Sequence, residues 1–147
     1  MSELTQIKTV FYTAVISVGS FITKLLGGWG HDMDTLMLFM VLDFGTGLLL
    51  ATVFKNSTKT HGGALESRAC IKGLFRKCMM LTCVIIGHRL DVALGSDYIR
   101  TAVIIGFTTN ELISIIENMG LMGIKLPQVV MDSIEVLKGK GGEHEKS

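Results

Sequence analysis

Long apolar runs interrupted by single polar groups dominate the pattern of this chain. The clearest run covers residues 35–54, TLMLFMVLDFGTGLLLATVF, in which Asp43 is the only charged residue. Its length matches the roughly 20 residues that an α-helix needs to cross a bilayer. Residues 77–95 and 98–120 form two further runs, and the polar group HRLD at 88–91 interrupts the first of them. The pattern predicts three membrane-spanning helices, of which 77–95 spans only if its polar group faces protein or water.

The N-terminal segment, residues 10–26, allows two interpretations. A narrow polar stripe recurs along it at helical spacing, while the rest is apolar. The stripe consists of Thr9, Thr13, Ser17, Ser20 and Lys24. The segment is either a fourth span that packs its stripe inward or an amphipathic helix that lies in the interface. We favour the span.

The C-terminal part of the chain changes character after Pro127. Val130, Ile134 and Leu137 share one helical face, so residues 127–138 are predicted to form a short cytoplasmic amphipathic helix. Residues 139–147 form a polar, glycine-rich tail that we expect to be flexible. The predicted fold is all-α: a single membrane domain over residues 1–138, built as a small helical bundle with three to four transmembrane helices.

Basic residues predict the orientation of this bundle. The loop 55–77 contains six Lys or Arg and one Glu, a net charge of +5, whereas the segment 27–34 contains two Asp and no Lys or Arg. Because Lys and Arg concentrate in cytoplasmic loops, the loop 55–77 and the C-terminus are predicted to be cytoplasmic. The loop charge is interpreted mainly as a topology signal, with binding of anionic lipid as a weaker option.

Composition agrees with a membrane protein and excludes several other classes. Hydrophobic residues make up 48% and charged residues 18% of the 147 residues, and soluble domains average about 25% charged. The net charge is +1 and the basic residues lack interleaved aromatics, so no nucleic-acid partner is expected. Phosphate-binding loops, nucleophile motifs and paired metal-ligand spacings are missing from the sequence. We therefore predict neither an enzyme nor a cofactor or metal site.

Asp43, Gly47 and Ala51 form the first candidate functional group. Their i, i+4, i+8 spacing places them on one face of the 35–54 span, and small residues at this spacing let helices approach closely in lipid. The face is either an oligomer seam, with Asp43 towards a partner or water, or ordinary packing within one monomer, with Asp43 hydrogen-bonded or protonated.

Asp91 is the second candidate. It could pair with Arg89 or Arg100, because a carboxylate at membrane depth needs a partner. The alternative is a loop that begins earlier than predicted, in which His88, Arg89 and Asp91 are all solvated.

The stretch 110–127, NELISIIENMGLMGIKLP, is the third and most informative candidate. It forms a polar sector about a third of the helix wide, which suits a water-lined or oligomer-facing surface. Glu111 is predicted to lie deep in the membrane, and Glu117 and Asn118 near the cytoplasmic boundary. Asn110, Ser114 and Glu117 share one face, and Glu111, Ser114 and Asn118 the adjacent one.

The sequence resembles the bacteriophage holin family that includes the clostridial toxin-secretion holins. The resemblance rests on LDFGTGLLLA at 42–51, on Ser67 and Lys72-Gly73 in the basic segment, on Asp91 after an apolar run, and on NELISIIENMGLMGIKLP. It covers roughly residues 35–137.

The resemblance implies a multi-pass protein of the host inner membrane that accumulates as homo-oligomers. Such proteins form lesions at a set time and let an endolysin reach the cell wall, and some are associated with toxin release. The partners implied are the lipid bilayer, further copies of the chain, an antiholin and, functionally, an endolysin. The alternatives are an antiholin or similar regulatory membrane partner, and a small ion channel or transporter subunit.

Overall fold

The computed structural model describes residues 2–54, 67–133 and 136, and the regular elements within these ranges are all helical. This confirms the predicted all-α class. The elements are α1 (Ser2–Leu25), α2 (His31–Leu49) with its π-helical continuation Leu50–Phe54, α3 (Ser67–Leu94) and α4 (Ile99–Leu121). A short helix over 128–133, here α5, follows Pro127.

Helices α2, α3 and α4 pack together, with α2 parallel to α4 and α3 antiparallel to both. At one end of the bundle the Arg100 guanidinium contacts Asp32, and at the other the Asn118 amide contacts Thr46. Both pairs join α2 to α4, which fixes their common direction. Only residues 95–98 separate α3 from α4, so these two helices form a tight hairpin.

The apolar core lies between these two polar contacts. Its members come from α2, α3, α4 and the turn after α1. A side chain at Gly87 would bring Cβ within 3.2 Å of the Arg100 Cα atom, so the absence of a side chain there lets α3 and α4 approach closely. The core consists of Leu26, Met33, Leu36, Met40, Met80, Val84 and Ile104.

Two helices are long and apolar enough to cross a membrane by length and composition: His31–Phe54 and Ile99–Leu121. They correspond to the predicted spans 35–54 and 98–120. Helix α3 contains residues 77–94 of the predicted span 77–95, and these include the charged residues Lys77, Arg89 and Asp91. Crossings by α3 and α1 stay predictions.

Helix α1 stands apart from the bundle. Its residues from Glu3 to Ile22 are exposed, including large apolar side chains such as Phe11 and Phe21, and contact with the other helices is confined to its C-terminal end. A helix of 24 residues with exposed apolar side chains needs an apolar environment. Both interpretations of residues 10–26, span or interfacial helix, provide one and stay predictions.

The structure corrects the predicted basic loop 55–77. Helix α3 begins at Ser67, so Arg68, Lys72 and Arg76 are helical residues, one turn apart. Their four-residue spacing is a helical signal that the high charge of the segment obscured. The remainder of that loop, together with Ile134, Leu137 and the tail 139–147, lies outside the described residues.

Candidate functional site

A cluster of three charged side chains lies inside the bundle, one from each packed helix. The Lys77 ammonium on α3 donates a hydrogen bond to the Asp43 carboxylate on α2 at 2.9 Å, and a second one to the Glu111 carboxylate on α4. Each carboxylate is 34 residues from the lysine in sequence. Lys77 therefore ties all three helices together at one point.

Asn118 and Thr46 extend this charged cluster. The Asn118 side-chain amide donates to the second Asp43 carboxylate oxygen at 3.3 Å and to the Thr46 hydroxyl oxygen at 3.1 Å. The Thr46 hydroxyl in turn donates to the Asp43 backbone carbonyl at 3.1 Å. Both oxygens of the Asp43 carboxylate thus have donors from other helices, as a buried carboxylate requires.

Burial makes this cluster energetically important. The residues Asp43, Glu111 and Asn118 are 8%, 2% and 4% exposed, respectively. Removing ions from water costs several kcal/mol per ion, and only close opposite charges and hydrogen bonds offset this cost. With two carboxylates and one ammonium, the fully ionised cluster carries one excess negative charge. Burying two carboxylates around one ammonium is an unfavourable contribution to stability, which the apolar packing around the cluster must offset.

The cluster lies near the middle of the two candidate membrane helices. Asp43 is the thirteenth residue of the helical segment His31–Phe54, and Glu111 is the thirteenth of Ile99–Leu121. At 1.5 Å per residue each lies about 18 Å from the start of its helix. If both helices cross a bilayer with a hydrocarbon thickness of about 30 Å, the charges lie well inside it.

The other predicted site residues fall into two groups. Gly47 and Ala51 lie on the side of α2 that faces the bundle; Ala51 is buried, and a Cβ at Gly47 would be 3.7 Å from the Asn118 amide nitrogen. Asn110 and Glu117 are exposed, and Ser114 is half-buried. The predicted polar sector is therefore split: Glu111 and Asn118 face the interior of the bundle, and Asn110 and Glu117 do not. Oligomer-facing or lesion-lining roles for these residues stay predictions.

For Asp43, the monomer-packing alternative describes the arrangement observed. Its carboxylate is hydrogen-bonded within the chain, to groups on α3 and α4. Sequence analysis missed Lys77 as its partner, since Lys77 was counted among the cations of the basic loop.

Asp91 acts as a cap for the next helix. Its carboxylate accepts hydrogen bonds from the backbone N–H groups of Ile99 and Arg100 at 3.0 and 2.8 Å, and from the Ser96 hydroxyl at 2.6 Å. Asp91 is 6% exposed, and α3 continues to Leu94, so the solvated-loop alternative is wrong for Asp91. The structure does not show the side-chain pairing with Arg89 or Arg100 that was considered for Asp91: Asp91 accepts from the backbone N–H of Arg100, and the Arg100 guanidinium donates elsewhere.

Replacing Asp91 with alanine should destabilise the protein by about 0.5–2 kcal/mol, because loss of a capping side chain leaves helix N–H groups unsatisfied. Unfolding in detergent micelles, followed by circular dichroism, measures this effect. The exposed Asp97 in the same connection provides the control, and Asp97→Ala should change the midpoint much less. Equal effects of the two substitutions would contradict the capping role.

The Arg100 guanidinium instead holds the connection between α1 and α2. It donates to the carbonyl oxygens of Leu26 and Gly28 at 2.6 and 3.1 Å, and to the Asp32 carboxylate at 2.7 Å. Gly27 has a φ of +80°, and a Cβ there would lie 2.5 Å from the His88 Nδ1 atom. Sequence analysis missed this junction, because Arg100 lies 68–74 residues from its three acceptors along the chain.

Metal binding finds no support in the described ranges 2–54 and 67–133, where no group of three or more His, Cys, Asp or Glu is placed to hold an ion. The cation of the cluster is Lys77 itself.

Comparison with known proteins identifies the family of this chain. The model of the bacteriophage holin family matches residues 20–139 of the chain. The chain belongs to this family. Membership together with two apolar helices of spanning length indicates a membrane protein. The matched range includes Asp43, Lys77 and Glu111, so the cluster lies within the part of the chain that the family model covers.

Several individual relatives extend over most of this holin-family chain. An uncharacterised protein of Listeria monocytogenes is 34% identical over 133 residues, covering 90% of this chain and 89% of the relative. A probable holin of Bacillus phage phi105 is 28% identical over 107 residues, covering 72% and 73%. An uncharacterised protein of Clostridium perfringens is 27% identical over 128 residues, covering 86% and 91%. No solved structure matches the chain.

Proposed function

We propose that this chain is a holin that assembles in the bacterial inner membrane into lesions through which an endolysin leaves the cytoplasm. The observation that carries the proposal is the buried Asp43–Lys77–Glu111 cluster, which a holin-family chain places near the middle of its two candidate membrane helices. Ionisable groups at membrane depth are costly and are usually retained for function.

The cluster allows a stable monomer to keep charged side chains buried between its helices. In the described arrangement the Lys77 ammonium bridges the two carboxylates inside the bundle. The lipid-facing sides of α2 and α4 are apolar, with exposed residues such as Val41 and Ile105. If the helices separate, the same charges need water or partners from other copies. Oligomers that line a water-filled lesion supply both water and partners. Assembly into the open state would therefore expose the charged side chains that the monomer buries.

The proposed topology has α2, α3 and α4 crossing the membrane, with α1 as a fourth crossing. The end of the bundle that carries Arg68, Lys72 and Arg76 is then cytoplasmic, following the positive-inside rule. In this orientation the Arg100 junction lies on the outer side, the C-terminus is cytoplasmic, and a crossing by α1 places the N-terminus there too. If α1 lies in the interface instead, the N-terminus is outside.

The alternative of a small cation channel is less well supported by the geometry. A cation pathway needs carboxylate oxygens that are open to the passing ion, and here Lys77 occupies the space between Asp43 and Glu111. An antiholin would share the whole architecture, so the distinction between it and a holin rests on the activity of the chain in cells.

Inducible expression in a bacterium, with and without a cytoplasmic endolysin, tests the proposal. We expect an abrupt fall in culture turbidity after a fixed delay, only when both proteins are present, because the lesion gives the endolysin access to the wall. Expression of the chain alone should stop growth and collapse the membrane potential.

Other results of this experiment are equally informative. Steady growth with an intact membrane potential would contradict the holin assignment and favour the regulatory partner. Loss of potential without release of the endolysin would favour a channel. Replacing the endolysin with a large toxin tests whether the lesion also passes such cargo.

A further inference from the structure

A patch of small and polar residues lies on the outward side of α4. Ala102, Gly106 and Asn110 follow one another at four-residue intervals and are all exposed, which places them on one side of the helix. A Cβ at Gly106 would meet nothing within 4 Å. This α4 patch lies beside apolar residues such as Ile105 but differs from them, because it has no bulky apolar side chain and carries an amide.

Asn110 is the polar group of the α4 patch. It directly precedes Glu111 and therefore lies at the depth of the charged cluster. Within the described ranges its exposed side chain makes no hydrogen bond. An amide that faces lipid without a partner is costly, and Asn side chains in membranes hydrogen-bond to neighbouring helices. Gly106, one turn away, lets such a helix approach closely. The α4 patch therefore has the properties of a surface that another helix covers.

Helix α1 has the complementary surface. Its polar stripe, which includes Thr9, Thr13, Ser17 and Ser20, is exposed along its whole length. The Thr13 hydroxyl donates to the Thr9 backbone carbonyl at 2.9 Å. A hydroxyl oxygen that donates in this way still accepts hydrogen bonds through its lone pairs. The stripe thus offers acceptors for an amide N–H, on side chains small enough to pack against glycine.

Depth in the membrane matches the two surfaces. The Arg100 guanidinium donates to the Leu26 backbone carbonyl at 2.6 Å, so α4 begins and α1 ends at about the same level. Asn110 lies ten residues beyond Arg100, about 15 Å along α4. If α1 crosses the membrane, the same distance counted back from Leu26 reaches the turn between Thr13 and Ser17. Copies of the chain that share one topology hold their helices at the same depths, so the match also applies between copies.

The junction between α1 and α2 directs α1 away from the α4 patch of its own chain. Residues 3–22 are exposed, and the α4 patch is uncovered. Arg100 holds the junction by donating to the carbonyl oxygens of Leu26 and Gly28. Gly27 and Gly28 have φ values of +80° and +101°, a conformation that glycine adopts at no steric cost. The direction in which α1 leaves the bundle is therefore set by a hydrogen-bonded turn.

We propose that the polar stripe of α1 packs on the α4 patch of a second copy of the chain, where the Asn110 amide donates to a hydroxyl of the stripe. The two surfaces lie on different helices, so one copy can use both at once and engage two neighbours. The proposal rests on the membrane crossings of α1 and α4 given under the proposed function, but not on lesion formation.

Disulfide cross-linking in membranes tests this contact. Two differently tagged chains, each with its three cysteines replaced by alanine, are co-expressed. One carries Ser20→Cys in the polar stripe and the other Gly106→Cys in the α4 patch, at the same depth by the count above. Mild oxidation should produce a disulfide-linked dimer that carries both tags. A bond within one chain cannot give this product, because each chain has a single cysteine.

Leu38→Cys provides the matched control. Leu38 is exposed on α2, six residues after Asp32, which contacts Arg100, so it lies at the depth of Gly106. Paired with Ser20→Cys, it should give a much lower dimer yield. Equal yields would indicate random collision and overturn the proposal. A stronger dimer from Gly106→Cys alone would assign the α4 patch to a second α4. A chain with both Ser20→Cys and Gly106→Cys that forms only an internal bond would assign it to its own α1. Either result overturns the proposal.

Replacing Asn110 gives a second measurement at equal protein levels. Asn110→Leu in the Gly106→Cys chain should lower the yield of the two-tag dimer about threefold, the average effect of a hydrogen bond between membrane helices. Asn110→Gln keeps an amide and should retain most of the yield. An unchanged yield with Asn110→Leu would overturn the proposed hydrogen bond. Lysis is recorded separately, so cross-linking without lysis contradicts the proposed function and supports the contact.

Discussion

Replacing Lys77 with methionine is expected to destabilise the bundle by about 3–5 kcal/mol, the usual effect of removing one partner from a buried ion pair. Methionine fills a similar volume but removes the ammonium that bridges the two buried carboxylates of Asp43 and Glu111. Unfolding in mixed detergent micelles measures the loss. In cells the same change should lower accumulation of the chain or bring lysis forward, because the closed monomer is the state that the lysine stabilises.

Two comparisons separate this effect from a general loss of charge. Lys125→Met removes a lysine that is exposed after α4 and should change stability by less than about 0.5 kcal/mol. Adding Asp43→Asn and Glu111→Gln to Lys77→Met removes all three charges and should recover most of the lost stability, because a neutral cluster needs no counter-ion. A triple variant as unstable as Lys77→Met alone would show that packing, not charge, is the basis of the effect.

The two apolar helices could be predicted from the sequence, because an apolar run of bilayer length is a strong signal for a membrane-spanning helix. The predicted spans 35–54 and 98–120 correspond to the apolar helices His31–Phe54 and Ile99–Leu121. Asp43 and Glu111 stood out for the same reason, since a carboxylate inside such a run is conspicuous.

Lys77, the partner of these carboxylates, could not be predicted from the sequence in this way. Lys77 lies at the edge of a basic segment, and its charge alone does not distinguish a solvated cation from a buried one. Its position at the bundle interior depends on the rotation of α3 about its axis, and therefore on the packing of Met80 and Val84, three and seven residues further along the same side. The same limitation applies to Arg100, whose three acceptors lie 68–74 residues away in sequence.

Replacing Glu111 with glutamine is expected to delay lysis. The substitution removes the excess negative charge of the cluster while Asp43 still neutralises Lys77 at 2.9 Å. Removing one of the two negative charges that share a single ammonium is favourable by several kcal/mol, and the weaker hydrogen bond that Lys77 then donates to an amide oxygen offsets about 1–2 kcal/mol of this. The closed monomer should gain a net stabilisation of roughly 1–2 kcal/mol, which lowers the population of the open state about tenfold.

The matched substitution on the same helix is Glu117→Gln, because Glu117 is exposed whereas Glu111 is 2% exposed. Lysis timing is measured by culture turbidity at equal protein levels, checked by immunoblot. We expect Glu111→Gln to lengthen the delay and Glu117→Gln to leave it near the wild-type value. Unchanged timing for Glu111→Gln would remove this carboxylate from the mechanism. Earlier lysis would mean that the Glu111 carboxylate is needed to hold Lys77 in the closed state.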